Sequence, residues 1–188
     1  MPTTSGATTV PATERRFSAS PPSSLYVDAD VLINYVIDSE PHHGRTRSFF
    51  RDLEARGGTT LYVSSLTWLE IAHAITREGF RRRLESDVQR RFRLDQWRNE
   101  QVRETYVQTF LGWLEGLLNQ FEWNEVFVTD QIRVASVPIM TRHRLSSQDA
   151  CHVACAWQEG VQDLASFDEA FRRVDGLILW NDVIHGSR

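Results

Sequence analysis

Two short apolar runs that each lead to an acid constrain this chain most. Leu25-Tyr26-Val27 stops on Asp28, and Val161 to Ala165 leads through Ser166-Phe167 to Asp168. Both runs have strand length and strand-forming residues, with turn-forming residues at their edges. Further strands are expected at Thr60 to Ser64, at Val126 to Val128 and at Leu177 to Trp180. Helical segments separate them, so the strands pair in parallel and need helices on both faces. The fold class expected is α/β: a three-layer sandwich with a mainly parallel central sheet. Ligands of such a sheet bind beyond the carboxyl ends of its strands. Asp28 and Asp168 therefore point into one crevice.

The helices follow from caps and periods. Val31 to Ile37 begins a short one. Ser39-Glu40-Pro41 reads as the start of a helix that runs to about Arg56, buries Phe49, Phe50 and Leu53, and stops at Gly57-Gly58. Ser65 or Thr67 opens the next helix, where Thr67-x-x-Glu70 fits a capping box and Gly79 follows. Its apolar stripe is Trp68, Ile71, Ala72 and Ile75. Thr129 or Asp130 caps a helix to about His143, kinked or shortened by Pro138. Ser146 or Ser147 caps the segment Gln148 to Glu159, whose stripe is Ala150, Val153, Ala154 and Trp157. A short helix with Phe171 precedes the last strand. The section 80–122 reads as an extended helical hairpin, with more apolar residues than one face needs. Residues 1–24 are rich in Thr, Ser, Pro and Ala without an apolar period, and are expected to be a disordered tail. Residues 25–188 are expected to form one domain.

Composition narrows the chemistry. The net charge is -4, which excludes a bulk polycation that binds nucleic acid by charge alone. The charge is uneven: from Arg77 to Arg103 nine arginines face five acids. All 21 basic residues are Arg, so no mechanism that needs a catalytic lysine applies. No apolar run approaches the ~20 residues of a membrane span, and the N-terminus lacks the layout of a signal peptide. A cytoplasmic location is expected by default. Cys151 and Cys155, four residues apart on one helix, project in similar directions, a poor geometry for a disulfide. With His152 they fall short of the four ligands of a structural zinc.

Four acids carry the candidate site: Asp28, Glu70, Asp149 and Asp168. Each alone has a structural use. Asp28 and Asp168 suit caps between strand and helix, Glu70 suits a capping box, and Asp149 suits the first turn of a helix. Asp28-Ala29-Asp30 holds one acid more than a cap requires. Two strand-terminal carboxylates in one parallel sheet share a crevice, and together the four are expected to hold a divalent metal ion. Mg²⁺ or Mn²⁺ prefers oxygen ligands, and without an ion at least one of the clustered carboxyls should have a raised pKa. His73 and His152 fall near the acids, but as partly buried histidines neither needs a chemical role.

Four stretches resemble a known family. Tyr26-Val27-Asp28-Ala29-Asp30-Val31-Leu32-Ile33 resembles the opening of PIN-domain ribonucleases, in particular the VapC-type toxins of toxin–antitoxin pairs. Val63-Ser64-Ser65-Leu66-Thr67-Trp68-Leu69-Glu70, Leu145-Ser146-Ser147-Gln148-Asp149-Ala150 and Leu164-Ala165-Ser166-Phe167-Asp168-Glu169-Ala170-Phe171 resemble their second, third and fourth motifs, in order, across roughly Leu25 to Trp180. The resemblance implies a metal-dependent endoribonuclease with Mg²⁺ or Mn²⁺, an RNA substrate, a homodimer and a small antitoxin. It makes Asp28, Glu70, Asp149 and Asp168 the catalytic, metal-binding acids, with Asp30 and Ser166 behind them. Some relatives carry a further acid where this chain has Ala170, a departure that bears on a second metal. Arg77, Arg81 and Arg82 are then candidates for contact with RNA or antitoxin, since Arg pairs well with phosphate. Two other readings stand beside this one. A haloacid-dehalogenase-like phosphatase would use Asp28 as a phosphorylated nucleophile but normally needs a Lys. A PIN-like interaction module would need no metal.

Overall fold

The computed structural model describes residues 11–86, 104, 108, 111, 112 and 114–182, with the backbone alone for 79–86. Among them six strands form one all-parallel sheet: β1 (Thr13–Arg15), β2 (Ser24–Val27), β3 (Thr60–Ser64), β4 (Trp123–Val126), β5 (Asp163–Ala165) and β6 (Ile178–Trp180). Their order across the sheet is β1-β6-β5-β2-β3-β4. From β2 the chain moves outward through β3 to β4, then returns to the other side of β2 to lay down β5 and β6. The strand order therefore reverses between β2 and β5, where a parallel sheet leaves a crevice.

Successive strand residues point to opposite faces, and this sorts the core in two. Leu25, Val27, Leu61, Val63, Ala165 and Trp180 pack on one face with helices α1 (Ala29–Val36), α2 (His43–Arg56) and α3 (Ser65–Ser86). Tyr26, Leu164 and Leu179 pack on the other with α4 (Asp130–His143) and α5 (Ser147–Gln158). The three-layer α/β sandwich expected from the sequence is the fold observed. A 3-10 turn over Glu169–Arg173 buries Phe171 before β6.

Several local expectations are corrected. The proposed tail is not detached over its second half: Thr13–Arg15 pairs with β6, and Phe17 is buried in the first core. Phe17 stacks on Phe49 with ring centroids 4.1 Å apart and meets Phe167 edge-on at 5.5 Å. Residues 1–10 lie outside the described residues, as does most of the expected hairpin over 80–122. Helix α2 begins after His42 rather than at Ser39. Helix α3 starts directly after β3 and runs through Gly79. Thr67 turns its hydroxyl back to the Ser64 backbone N–H at 3.2 Å, so the expected capping box with Glu70 gives way to a link with the strand end. Strand β4 lies three residues earlier than expected, and Phe127 and Val128 are exposed. Pro138 sits inside α4 without ending it. Trp157, expected on the apolar stripe of α5, is partly exposed. Both cysteines are free and buried.

The buried position of Phe17 yields a direct test. Phe17→Ala should lower the unfolding free energy by about 3–5 kcal/mol, as for other buried aromatics. Chemical denaturation measures it; a loss within ~0.5 kcal/mol, the effect of a change on a loose surface segment, would show that residues 13–17 do not dock.

Candidate metal centre

The crevice at the strand reversal is built from the residues that follow β2 and β5. Asp28 ends β2 and caps α1, its Oδ1 accepting from the Ala29 N–H at 2.8 Å. The Asp28 N–H donates to the Ala165 carbonyl at 3.0 Å, which ties the two strand ends together. Ser166, fully buried, then places its hydroxyl 2.8 Å from Asp28 Oδ2 and 3.1 Å from Asp30 Oδ2. The Phe167 N–H donates to the same Asp30 oxygen at 2.8 Å. The Ser166 hydroxyl also accepts from the Asp168 N–H at 3.0 Å. One hydroxyl proton cannot serve two carboxylates at once, so Asp28 and Asp30 compete for it. The other Asp30 oxygen, Oδ1, has no solvent contact and no hydrogen-bond partner among the described residues.

The far wall is α5. From Ala150 to Ala156 every residue of that helix is buried, and one of them is His152. Its Nε2 lies 3.0 Å from Glu70 Oε2 on α3 and 3.5 Å from Asp28 Oδ1. Its Nδ1 lies 2.9 Å from the Tyr26 hydroxyl and 3.4 Å from the Ser64 hydroxyl. Strand alternation explains the meeting. Tyr26 and Asp28 share one side of β2, and Tyr62 and Ser64 share one side of β3, the side covered by α5. The chain thus aims a phenol, a carboxylate and a hydroxyl at the same helix.

The site residues expected from the sequence divide accordingly. Asp28, Asp30, Glu70 and Ser166 come together. Asp28, Glu70 and His152 each offer one ligand atom within 4.8 Å of the others, the one such group among the described residues. Asp149 and Asp168 are not in it. Asp149 completes a capping box with Ser146, its Oδ2 accepting from the Ser146 N–H at 3.3 Å. Asp168 is exposed and caps the 3-10 turn through the Ala170 N–H at 2.7 Å. Arg77 is exposed on α3, whereas the side chains of Arg81 and Arg82 lie outside the described residues. His152, which the sequence marked only as a histidine near the acids, is the third member of the group. Its signal was a titratable side chain in a helix whose other neighbours are Ala, Cys and Val.

Electrostatics agree with the crowding. Burial raises the Asp28 carboxyl, and Glu70 adds to the rise, against the pull of His152 and Ser166. Burial and then the neighbouring Asp28 charge push Asp30 well above the usual carboxylate range. Burial alone would lower the pKa of His152; the Asp28 and Glu70 carboxylates outweigh it and raise the imidazole to about 9. These groups suit a divalent cation, since oxygen ligands clustered out of water need a positive partner. In the metal-free protein that partner is the imidazolium. A pKa raised on folding gives stability that is whole below about 6.5 and is lost as pH rises through about 9. Histidine NMR on metal-free protein should therefore show His152 protonated at pH 7.5. A midpoint at or below ~6.5, the unperturbed value, would show that the carboxylates do not hold it as an ion pair.

The fold has counterparts among known proteins. Residues 25–177 match the PIN domain family. No curated protein matches the sequence. Among solved structures, VapBC2 from Rickettsia felis, bound to a DNA fragment from its promoter, aligns with a TM-score of 0.55 at 11% identity. That alignment covers 85% of this chain and 99% of the other. VapC20 of Mycobacterium tuberculosis, described as a sarcin-ricin loop cleaving toxin, aligns with a TM-score of 0.51 at 15% identity. It covers 78% of this chain and 92% of that one. At such identities the likeness is one of fold, whereas the family match spans most of the sequence, so this chain belongs to the PIN domain family.

Proposed function

We propose that this protein is a metal-dependent endoribonuclease that acts as the toxin of a toxin–antitoxin pair. The observation that carries the reading is the convergence of Asp28 and Glu70 at the carboxyl ends of parallel strands, backed by Asp30 and Ser166. Mg²⁺ or Mn²⁺ held there would supply a water of lowered pKa and positive charge against the phosphate. Asp28 and Glu70 are the direct ligands. Ser166 and the Phe167 N–H fix the carboxylates behind them. Asp149 and Asp168 flank the site as its outer acids. Arg77 lies two turns beyond Glu70 on α3, where an exposed guanidinium can meet a phosphate of the RNA. Exposed Leu69, Phe127, Val134 and Val137 offer apolar surface for a second copy or a small antitoxin. No described helix is long and apolar enough to cross a membrane, and an RNA substrate suits a cytoplasmic location.

The phosphatase reading needs Asp28 free to attack phosphorus. Its Oδ1 instead faces His152 and caps Ala29, and its Oδ2 accepts from Ser166. A metal-free interaction module would have no use for the close grouping of Asp28, Glu70 and His152.

Cleavage of structured and single-stranded RNA should stop in chelator and return with Mg²⁺ or Mn²⁺; full activity in chelator would exclude a metal-dependent reaction. The sarcin-ricin loop belongs among the RNAs tried, given the activity ascribed to the Mycobacterium tuberculosis toxin. Asp28→Asn should cost more than the roughly 10–100-fold lost with an outer-shell partner, with the fold intact by circular dichroism. Asp149→Asn should cost less, since that side chain stands outside the three-residue group. Wild-type cleavage by Asp28→Asn would remove Asp28 from the site.

A further inference from the structure

We propose that His152 Nε2 is itself a metal ligand, so that this centre takes one nitrogen and two carboxylates and favours Mn²⁺, Co²⁺ or Ni²⁺ over Mg²⁺. The inference rests on the metal site proposed above and adds a ligand of a different chemical class. Three observations carry it.

The first is spacing. Two donors at adjacent positions of an octahedral ion with bonds of ~2.1 Å stand ~3.0 Å apart, and at tetrahedral positions ~3.4 Å. His152 Nε2 stands 3.0 Å from Glu70 Oε2 and 3.5 Å from Asp28 Oδ1. The three ligand atoms lie within 4.8 Å of one another, so an ion drawn in between the two oxygens comes beside the nitrogen.

The second is the far side of the ring. A metal-bound imidazole hands its other N–H to a fixed acceptor, which sets the tautomer and ring angle. Nδ1 is 2.9 Å from the Tyr26 hydroxyl, and Tyr26 is fully buried on the central strand. With Nδ1 as donor, an entering ion displaces the Nε2 proton to solvent, and the freed lone pair faces the carboxylates.

The third is burial. The His152 side chain is 2% accessible and sits in a helix that is buried from Ala150 to Ala156. It cannot swing to solvent when an ion enters between Asp28 and Glu70. Its nitrogen therefore stays beside the ion, and ligation needs only the loss of the Nε2 proton. Imidazole binds Co²⁺ and Ni²⁺ well, whereas Mg²⁺ keeps to oxygen.

Electron spin-echo spectroscopy of the protein loaded with Mn²⁺ tests this without relying on turnover. Wild-type protein should show nitrogen coupling to bound Mn²⁺, and labelling histidine with ¹⁵N should change its frequency. The coupling should persist in His73→Gln, an exposed position on α3, and vanish in His152→Gln. Titration calorimetry should show His152→Gln losing about tenfold or more in Co²⁺ or Ni²⁺ affinity relative to its change for Mg²⁺. If His152→Gln fails to fold, the ¹⁵N-histidine spectrum of the wild type and of His73→Gln still decides the matter. Bound Mn²⁺ with oxygen ligands only would overturn the inference and leave the proposed metal site standing. No Mn²⁺ binding at all would overturn both.

Discussion

Like charges held side by side out of water are the constraint around which this structure is arranged. Asp28 is buried, an oxygen of Asp30 has no solvent contact, and Glu70 closes on Asp28 through His152. Two carboxylates ~4 Å apart repel by about 4 kcal/mol at an effective dielectric near 20. A hydrogen bond to a charged group returns only about 1.5–3 kcal/mol, and the Ser166 proton must be shared. Hydrogen bonds alone therefore do not settle the site. The raised pKa of Asp30 lets a proton relieve one charge, and His152 supplies a cation against Asp28 and Glu70. The ion pair makes the metal-free state tolerable, and the same three groups are those an incoming metal would meet.

The sheet explains why such a costly cluster exists. Parallel strands deliver their carboxyl ends to one edge, and the reversal of strand order between β2 and β5 opens that edge. Asp28 and Ser166 are the first residues past those two strands. They meet because the β2–β5 pairing continues into the Asp28 N–H. A small register change at this pairing would place the Ser166 hydroxyl against the wrong neighbour. The rigidity of the central sheet is thus passed directly to the acidic centre.

Much of this was legible in the sequence, for physical reasons that differ by residue. Asp28 stood out because Asp28-Ala29-Asp30 holds one acid more than a strand-to-helix cap requires. Glu70 was placed among the acids by its motif, and the capping box that was its structural alternative does not form: Thr67 turns back to Ser64, and Glu70 reaches across to α5. The role of Asp149 as a cap was readable from Ser146 three residues before it. β1 was not legible, since Thr13-Glu14-Arg15 is an exposed edge strand with no apolar alternation to betray it. Only Phe17, isolated among Ser, Ala and Pro, marks the docking. His152 was not legible because its importance depends on which helix faces which strand, a matter of topology that no local pattern contains.

The composition of α5 completes the account. Ala150, Cys151, Ala154, Cys155 and Ala156 are small, so the helix can lie close to the sheet. Only a helix that close lets an imidazole reach past Tyr26 to both carboxylates. Bulkier residues would serve a hydrophobic core equally well or better, since they bury more apolar area. A helix made instead of small residues around one histidine forgoes that gain. In return Nε2 comes within 3.0 Å of Glu70. The small side chains of α5 thus serve both its close packing in the second core and the placement of His152 against the carboxylates.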